Sequence, residues 1–195
     1  AVACMGTPAL AKSIPALDPE MTVHSSHAIY YGSEVSLADG VYGAQENVDG
    51  GGWVYVQTAA DGTDNHVVFT VDLHETRTVY ASGIGTIVNG WAEKMENLTL
   101  SASENGTDYT PLVAFDNAEL AAEWGHRHEW ACPEGAPVTA RYLRYEFDIA
   151  TSQITDGAVH YVCVDEIDVR TEADTPEPPP VVDPDPELAK RLRVK

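Results

Sequence analysis

The sequence contains little cysteine, little positive charge and no long apolar run. Its three cysteines, Cys4, Cys132 and Cys163, allow at most one internal disulfide bond, and Cys132 could pair with Cys163 in an exported protein. The Cys and His spacings that are typical of zinc sites are absent from the sequence. No apolar run is long enough to span a membrane, which argues against membrane insertion.

Positive charge is scarce relative to negative charge. The chain has 11 Lys and Arg residues against 31 Asp and Glu residues, which gives a formal net charge of -20. A surface this acidic repels phosphate backbones and anionic lipid headgroups. The composition therefore argues against nucleic acid and anionic membranes as partners, and it favours a neutral ligand, a cation or a protein with a basic face.

The composition divides the chain into three segments. Residues 1–20 lack periodicity and form a leader, and residues 21–170 carry the fold. Residues 171–195 begin as a linker, because six of the chain's twelve prolines lie among acidic residues at 171–187. Such a linker predicts that other domains of the same polypeptide follow.

The first residues carry weak export signals. Residues 1–4 (Ala-Val-Ala-Cys) resemble the end of a bacterial lipobox, and residues 9–11 (Ala-Leu-Ala) resemble a signal-peptide cleavage site. These two interpretations exclude each other, and an ordinary unstructured leader is the alternative to both. Export would place the protein outside the cell or on its surface.

Between the ends, apolar residues follow a period of two, which is typical of β-strands. Asp-Gly and Asn-Gly dipeptides separate the candidate strands, as expected for tight turns. A short helix is predicted within residues 117–124. The sequence thus predicts an all-β fold, an antiparallel jelly-roll β-sandwich with at most one short helix. The candidate strands lie at residues 53–58, 66–72, 77–83, 84–88, 98–102, 109–115, 143–149 and 160–170.

Four short passages in the same order resemble a known family. They are Leu-Ala-Asp-Gly at 37–40, Phe-Thr-Val-Asp-Leu at 69–73, the strand and turn at 100–109, and Ala-Arg-Tyr-Leu-Arg at 140–144 with the terminal strand at 164–169. Together they resemble the discoidin, or coagulation factor 5/8 type C, superfamily of galactose-binding-like domains. This superfamily includes the family 32 carbohydrate-binding modules. His74 stands where the family usually has glycine after its central strand.

The resemblance implies a structural calcium ion beside the Asp-Gly turn. Transferred by motif, its side-chain ligands would be Asp39 and Glu166, and main-chain carbonyls around Tyr42 and Gly43 would complete the oxygen shell. The hydroxyl ligand common in the family has no counterpart at residues 44–46.

The alternative to a calcium site is an ordinary surface turn. Asp39 would then only cap the turn, and Glu166 would be solvated or paired with Arg141.

Two stretches offer the side chains that sugar recognition needs, which are aromatic faces and planar polar groups mounted on loops. They are residues 89–94 and residues 124–130, both interpreted as loops. Sugar-binding relatives use His, Arg, Asn and aromatic residues on loops at one end. By type, the predicted ligand-binding residues are Trp91, Trp124, His126, Arg127 and Trp130.

Two alternatives concern these same residues. Tryptophan is buried in most proteins, so two or more of the three tryptophans could belong to the core. His126 and His128 could also bind zinc from one strand face, although no third ligand is marked by its spacing.

The sequence and the resemblance together predict a non-catalytic, calcium-stabilised module of an exported, bacterial, multidomain protein, which binds a glycan of the galactose type. The alternative is an adhesion or spacer module that binds protein. Paired carboxylates for a hydrolase arise by chance among 31 acidic residues, and no Gly-x-Ser-x-Gly nucleophile motif occurs. Glycan and protein binders would differ in whether Trp91, Trp124 and Trp130 converge on one exposed end.

Overall fold

The computed structural model describes residues 21–43, 52–57, 64–88, 92–121, 124–134, 136–150 and 161–171. The predicted leader and almost all of the predicted linker lie outside these ranges. None of the helices in the described ranges is long and apolar enough to cross a membrane. The elements are β1 (Thr22–Ser25), β2 (Ile29–Tyr31), a 3₁₀ turn (Val35–Leu37), β3 (Val54–Gln57), β4 (His66–Val79), β5 (Ala81–Val88), β6 (Met95–Ser103), β7 (Thr110–Ala114), α1 (Asn117–Leu120), β8 (Trp124–Ala131), β9 (Val138–Ile149) and β10 (Tyr161–Arg170).

The strands form two five-stranded sheets that pack face to face. The first sheet has the order β1-β4-β9-β6-β7, and the second has the order β2-β3-β10-β5-β8. Every paired neighbour is antiparallel. The predicted all-β, antiparallel β-sandwich is confirmed.

Alternation of apolar and polar residues builds the core of the first sheet. In β9, Leu143, Tyr145, Phe147 and Ile149 are fully buried, and the residues between them are half-buried. Phe147 meets Phe69 of β4 edge to face, with the ring centroids 5.4 Å apart. Complete burial of each such side chain contributes about 1.5–3 kcal/mol, so this alternating pattern fixes which face of the strand turns inward.

The centre of the second sheet is buried on both faces. In β10, eight consecutive residues from Val162 to Val169 are buried, which is unlike the alternation in β9. A second, small apolar cluster explains this pattern, since Trp53, Ile87, Ala92 and Cys163 pack together away from the main core. The outer face of this sheet is therefore covered in part by the chain's own loops.

Three elements differ from the sequence predictions. The glycines do not divide a strand, because β4 runs on to Val79 and β5 includes both Gly83 and Gly85. The predicted loop at residues 124–130 is the edge strand β8, which pairs with β5 along its whole length. The helix is a single turn, Asn117–Leu120, capped by the Asp116 carboxylate, which accepts the N–H of Ala118 at 2.8 Å.

Cys132 and Cys163 are free thiols. Cys163 lies opposite Ile87 near one end of β5, whereas the N–H of Cys132 bonds to the carbonyl of Tyr80 just beyond the other end. About seven residues of extended strand separate the two positions, which corresponds to roughly 20 Å. The two cysteines therefore cannot form a disulfide bond in this fold.

Candidate functional site

The structure brings Asp39 and Glu166 together. The Glu166 Oε2 atom accepts the main-chain N–H of Asp39 at 3.2 Å and that of Gly40 at 3.1 Å. A register shift in β10 between Val164 and Ile167 leaves Glu166 in an irregular position, from which its side chain reaches the turn. The two side chains named as calcium ligands are thus neighbours although they lie 127 residues apart in the chain.

The turn itself is held by its own aspartate. Asp39 Oδ1 accepts the N–H of Val41 at 2.9 Å, and Gly40 has a φ of 85°, which glycine adopts without strain. Leu37, directly before the turn, is completely buried in the main core. The turn is therefore anchored on one side by Leu37 and on the other by Glu166.

Glu166 fits a cation. Its side chain is completely buried, and in the described part of the chain its Oε1 atom has no hydrogen-bond partner. Burial raises the pKa of this carboxyl to about 7. A buried carboxylate oxygen without a donor is costly unless a proton or a cation meets it. The alternative of a solvated Glu166 is excluded by this burial, and Arg141 pairs instead with Asp72, with Nε 2.9 Å from Oδ1.

The contacts of Tyr42 and Gly43, the other two predicted ligand positions, do not decide whether calcium binds. Gly43 donates its N–H to Asp165 Oδ2 at 3.2 Å, and the Tyr42 hydroxyl donates to Asp168 Oδ2 at 3.2 Å. Among the described residues, no group of three or more His, Cys, Asp or Glu side chains is arranged to hold a metal ion. Calcium binding with main-chain carbonyls as further ligands stays a prediction.

Arg127 lies inside an ionic network on the outer face of the second sheet. Its Nη1 atom is 3.3 Å from Asp165 Oδ1 and donates to the Glu166 carbonyl at 3.1 Å, and its Nη2 atom pairs with Asp168 Oδ2. The guanidinium also lies over the Tyr42 ring, 4.9 Å from its centroid. Both aspartate side chains are almost completely buried. Arg127 thus fastens residues 42–43 and β10 to the edge strand, and these contacts give no support to a sugar-binding role.

Trp130 belongs to the core. It is only 8% exposed and packs in the main hydrophobic cluster. The alternative of a core tryptophan therefore describes Trp130 better than a sugar contact does.

The two histidines of β8 have different environments. His126 is exposed, whereas His128 is buried, and its Nε2 atom lies 2.9 Å from the Thr86 hydroxyl. Burial, together with the neighbouring His126 and Arg127, lowers the pKa of His128 to about 4. His128 is therefore a neutral core residue bonded to Thr86, and the alternative of a zinc pair finds no support.

Of the remaining predicted tryptophans, Trp124 lies by its backbone at one end of the second sheet. Trp124 begins β8 and pairs in register with Val88, the last residue of β5, after which the chain enters the predicted loop at 89–94. Trp91 lies outside the described residues, as does the side chain of Trp124. The end of the sheet formed by the last residues of β5 and the first residues of β8 is called the rim below.

A cluster of four tyrosines was missed by the sequence analysis. It is called the tyrosine cluster and consists of Tyr30, Tyr31, Tyr55 and Tyr161. The Tyr30 and Tyr161 centroids are 4.9 Å apart, those of Tyr31 and Tyr55 are 5.4 Å apart, and those of Tyr55 and Tyr161 are 6.4 Å apart. Tyr30 is 65% exposed and Tyr31 is 59% exposed. The adjacent tyrosines of the sequence Ile-Tyr-Tyr were the signal that could have marked it.

Comparison with known proteins gives matches of structure but not of sequence. No family model matches the chain, and no curated protein matches it. A fucose-binding module of Streptococcus pneumoniae matches with a TM-score of 0.54 and 18% identity, over 80% of this chain and 94% of that chain. The family 32 carbohydrate-binding module of NanJ from Clostridium perfringens, solved in complex with galactose, matches with a TM-score of 0.52 and 17% identity, over 79% of this chain and 97% of that chain.

A third match comes from a vertebrate. The fucolectin from the serum of the striped bass, Morone saxatilis, matches with a TM-score of 0.54 and 15% identity, over 77% of this chain and 46% of that chain. The chain has the galactose-binding-like, or discoidin-type, β-sandwich fold. The resemblance of the four sequence passages is thereby confirmed at the level of the fold, and identities this low carry no more than the fold.

Proposed function

We propose that this chain is a non-catalytic glycan-binding module of an exported multidomain protein. The observation that supports the proposal is the match of its two-sheet sandwich to nearly the whole length of modules that are described as binding fucose or complexed with galactose. Weak contacts to a sugar, multiplied by neighbouring domains, would keep the parent protein near a glycan-bearing surface outside the cell.

The ligand we propose is a neutral sugar of the galactose or fucose type. The net charge of -20 disfavours sulfated, phosphorylated or carboxylated glycans through repulsion. A neutral sugar avoids this penalty, and it can be held by aromatic stacking and hydrogen bonds.

The primary site we propose lies at the rim, with Trp91, Trp124 and His126 as its contacts. His126 is exposed on β8, two residues after Trp124 in the chain, and its imidazole can donate to or accept from a sugar hydroxyl. Arg127 and Trp130, which the sequence also named, have structural roles in the ionic network and the core.

We also propose a structural calcium ion at the Asp39 turn. Glu166 Oε1 would be one ligand, Asp39 another, and carbonyls near Tyr42 and Gly43 the rest. The ion would neutralise the buried Glu166 carboxylate and hold the turn against β10. Its contribution would be stability of the sandwich.

A catalytic role finds little support in the described residues. The buried carboxylates of Asp165 and Asp168 are paired with Arg127, so they are not available as a general acid and base. A protein-binding adhesion or spacer module remains the second candidate, because the acidic surface would attract a basic partner.

A glycan array probed with the purified chain tests the proposal, followed by NMR titration with galactose and with fucose. We expect binding to neutral, galactose- or fucose-containing glycans and chemical-shift changes for His126 and Trp124. A His126→Ala variant should weaken this binding without lowering the unfolding temperature. Absence of binding across the array, at protein concentrations that detect millimolar affinities, would refute the proposal.

A further inference from the structure

We infer that the tyrosine cluster is a second carbohydrate-binding surface, which takes further sugar units of a neutral glycan chain beyond the rim. The inference rests on the proposed function, since it assigns an additional subsite to a glycan-binding module. It is carried by the geometry of β2, β3 and β10, independently of the residues that the sequence had named.

An irregularity in β2 creates the surface. In a regular strand, Tyr30 and Tyr31 would point to opposite faces of the sheet. The pairing of β2 with β3 shifts register between Ile29 and Tyr31, and both tyrosine rings meet rings of the neighbouring strands, Tyr30 meeting Tyr161 and Tyr31 meeting Tyr55. Irregularities of this kind re-aim side chains near binding sites. Here the shift concentrates aromatic surface on one side of the sheet edge.

The four tyrosine rings lie next to one another, and two of them are exposed. Tyr55 and Tyr161 are half-buried, and Tyr30 and Tyr31 keep more than half of their surface in solvent. The interplanar angles of 40° to 50° tilt the rings relative to each other, so ring faces as well as edges are presented. Ring faces suit the apolar C–H face of a pyranose, and the tyrosine hydroxyls can bond to its hydroxyls.

A planar polar side chain borders the rings. Gln57 pairs in register with Tyr161, lies on the same strand face as Tyr55 and is partly exposed. Its amide offers two donors and one acceptor, with which it can bridge neighbouring sugar hydroxyls. Aromatic faces beside one amide provide both elements that recognise a neutral sugar.

The size of the cluster favours a saccharide over a protein. A fully buried tyrosine covers about 150–250 Å², so the exposed parts of Tyr30 and Tyr31 together offer about 190–310 Å². A stable protein interface buries about 800 Å² on each partner. The tyrosine surface alone is too small for such an interface, but it suits one or two sugar units.

The cluster adjoins the rim. Tyr161 begins β10, and its carbonyl accepts the N–H of Glu93 at 2.7 Å, which ties the cluster to the end of the loop at 89–94. A glycan chain bound at the rim could therefore continue onto the tyrosines, and the two contacts together would bind an oligosaccharide more tightly than a monosaccharide.

Isothermal titration of the full chain tests the inference, with galactose, fucose and the neutral tetrasaccharide lacto-N-tetraose as ligands. We expect the tetrasaccharide to bind more tightly than either monosaccharide, and Tyr30→Ala combined with Tyr31→Ala to weaken tetrasaccharide binding about tenfold. The double variant with phenylalanine at both positions should keep most of the affinity, because it keeps the ring faces. Val35→Ala, which removes an exposed apolar side chain that is not part of the cluster, is the matched control and should change nothing.

The outcomes separate the inference from the proposed function. Tetrasaccharide binding that is unchanged in the double alanine variant, with the same unfolding temperature, overturns the inference and leaves the rim site standing. If no neutral sugar binds, the proposed function and the inference fail together. If the variant instead loses binding to a purified protein partner while sugar binding is unchanged, the cluster is a protein-docking surface and the inference is wrong.

Discussion

The Asp165 carboxylate occupies the space above Gly85 that any side chain at that position would need. A Cβ atom built on Gly85 would overlap both carboxylate oxygens of Asp165. Gly85 pairs in register with Arg127, whose guanidinium bonds to the same carboxylate. The glycine therefore makes room for the ionic network that joins β8, β10 and residues 42–43.

Gly85→Ala should destabilise the protein by about 1–3 kcal/mol, because either the buried Asp165 or the strand must move. Urea denaturation monitored by tryptophan fluorescence measures the change. Gly83→Ala on the same face of β5 is the comparison, since its Cβ would lie 3.2 Å from Arg127 and 3.3 Å from the His128 carbonyl. These contacts are tight but do not overlap, so a smaller loss of stability is expected. Equal stability losses in the two variants would contradict this account of Gly85.

Arg127→Met should cost about 3–5 kcal/mol of unfolding free energy, because it leaves the buried Asp165 and Asp168 carboxylates without their cation. Arg141→Met provides the comparison, since the ion pair of Arg141 with Asp72 is partly exposed and should be worth less than about 1 kcal/mol. Both values come from chemical denaturation. Sugar affinity in the folded Arg127→Met variant should change little, and a selective loss of affinity with full stability would instead make Arg127 a ligand contact.

Calcium should raise the unfolding temperature of chelator-treated protein. At a hundredfold excess over the dissociation constant, the gain is about 2.7 kcal/mol, or roughly 5–10 °C for a chain of this size. Glu166→Gln should abolish the calcium-dependent shift, because it removes the charged oxygen that faces the proposed ion. Asp148→Asn, which changes a carboxylate bonded to His66 and Asn97, should leave the shift intact. A wild-type protein that calcium does not stabilise would refute the site.

The alternation in β9 could be predicted from the sequence, because it depends on local pattern, and the structure has it. The proximity of Asp39 to Glu166, which are 127 residues apart, was implied by the family resemblance alone, and the structure has it too. β8 was not recognised, because the strand positions that alternate with Arg127 include the exposed His126 and the buried His128, and so lack an apolar period. The partners of Arg127 lie 38 to 41 residues further along the chain, and no local signal marks them. The tyrosine cluster depends on a register shift, which only the paired strands reveal.

His128 illustrates a core position that a sequence pattern would assign to the surface or to a metal. It is buried against Thr86, and the Phe115 ring lies edge-on with its centroid 6.1 Å away. Burial disfavours the imidazolium and lowers the pKa of His128 to about 4, below the ordinary value of 6.5. The unfolded chain therefore binds a proton on this residue more readily than the folded protein does.

The stability that neutral His128 contributes should be complete above pH 6.5 and should be lost as the pH falls towards about 4. The loss amounts to at most about 3 kcal/mol. His128→Gln cannot titrate, so urea denaturation from pH 7 to pH 4.5 should show a shallower acid loss than in the wild type. His66→Gln should steepen that loss, because the bond to Asp148 raises the pKa of His66 and its protonation favours the folded state. An unchanged pH slope in His128→Gln would mean that the buried imidazole takes up its proton without cost to the fold.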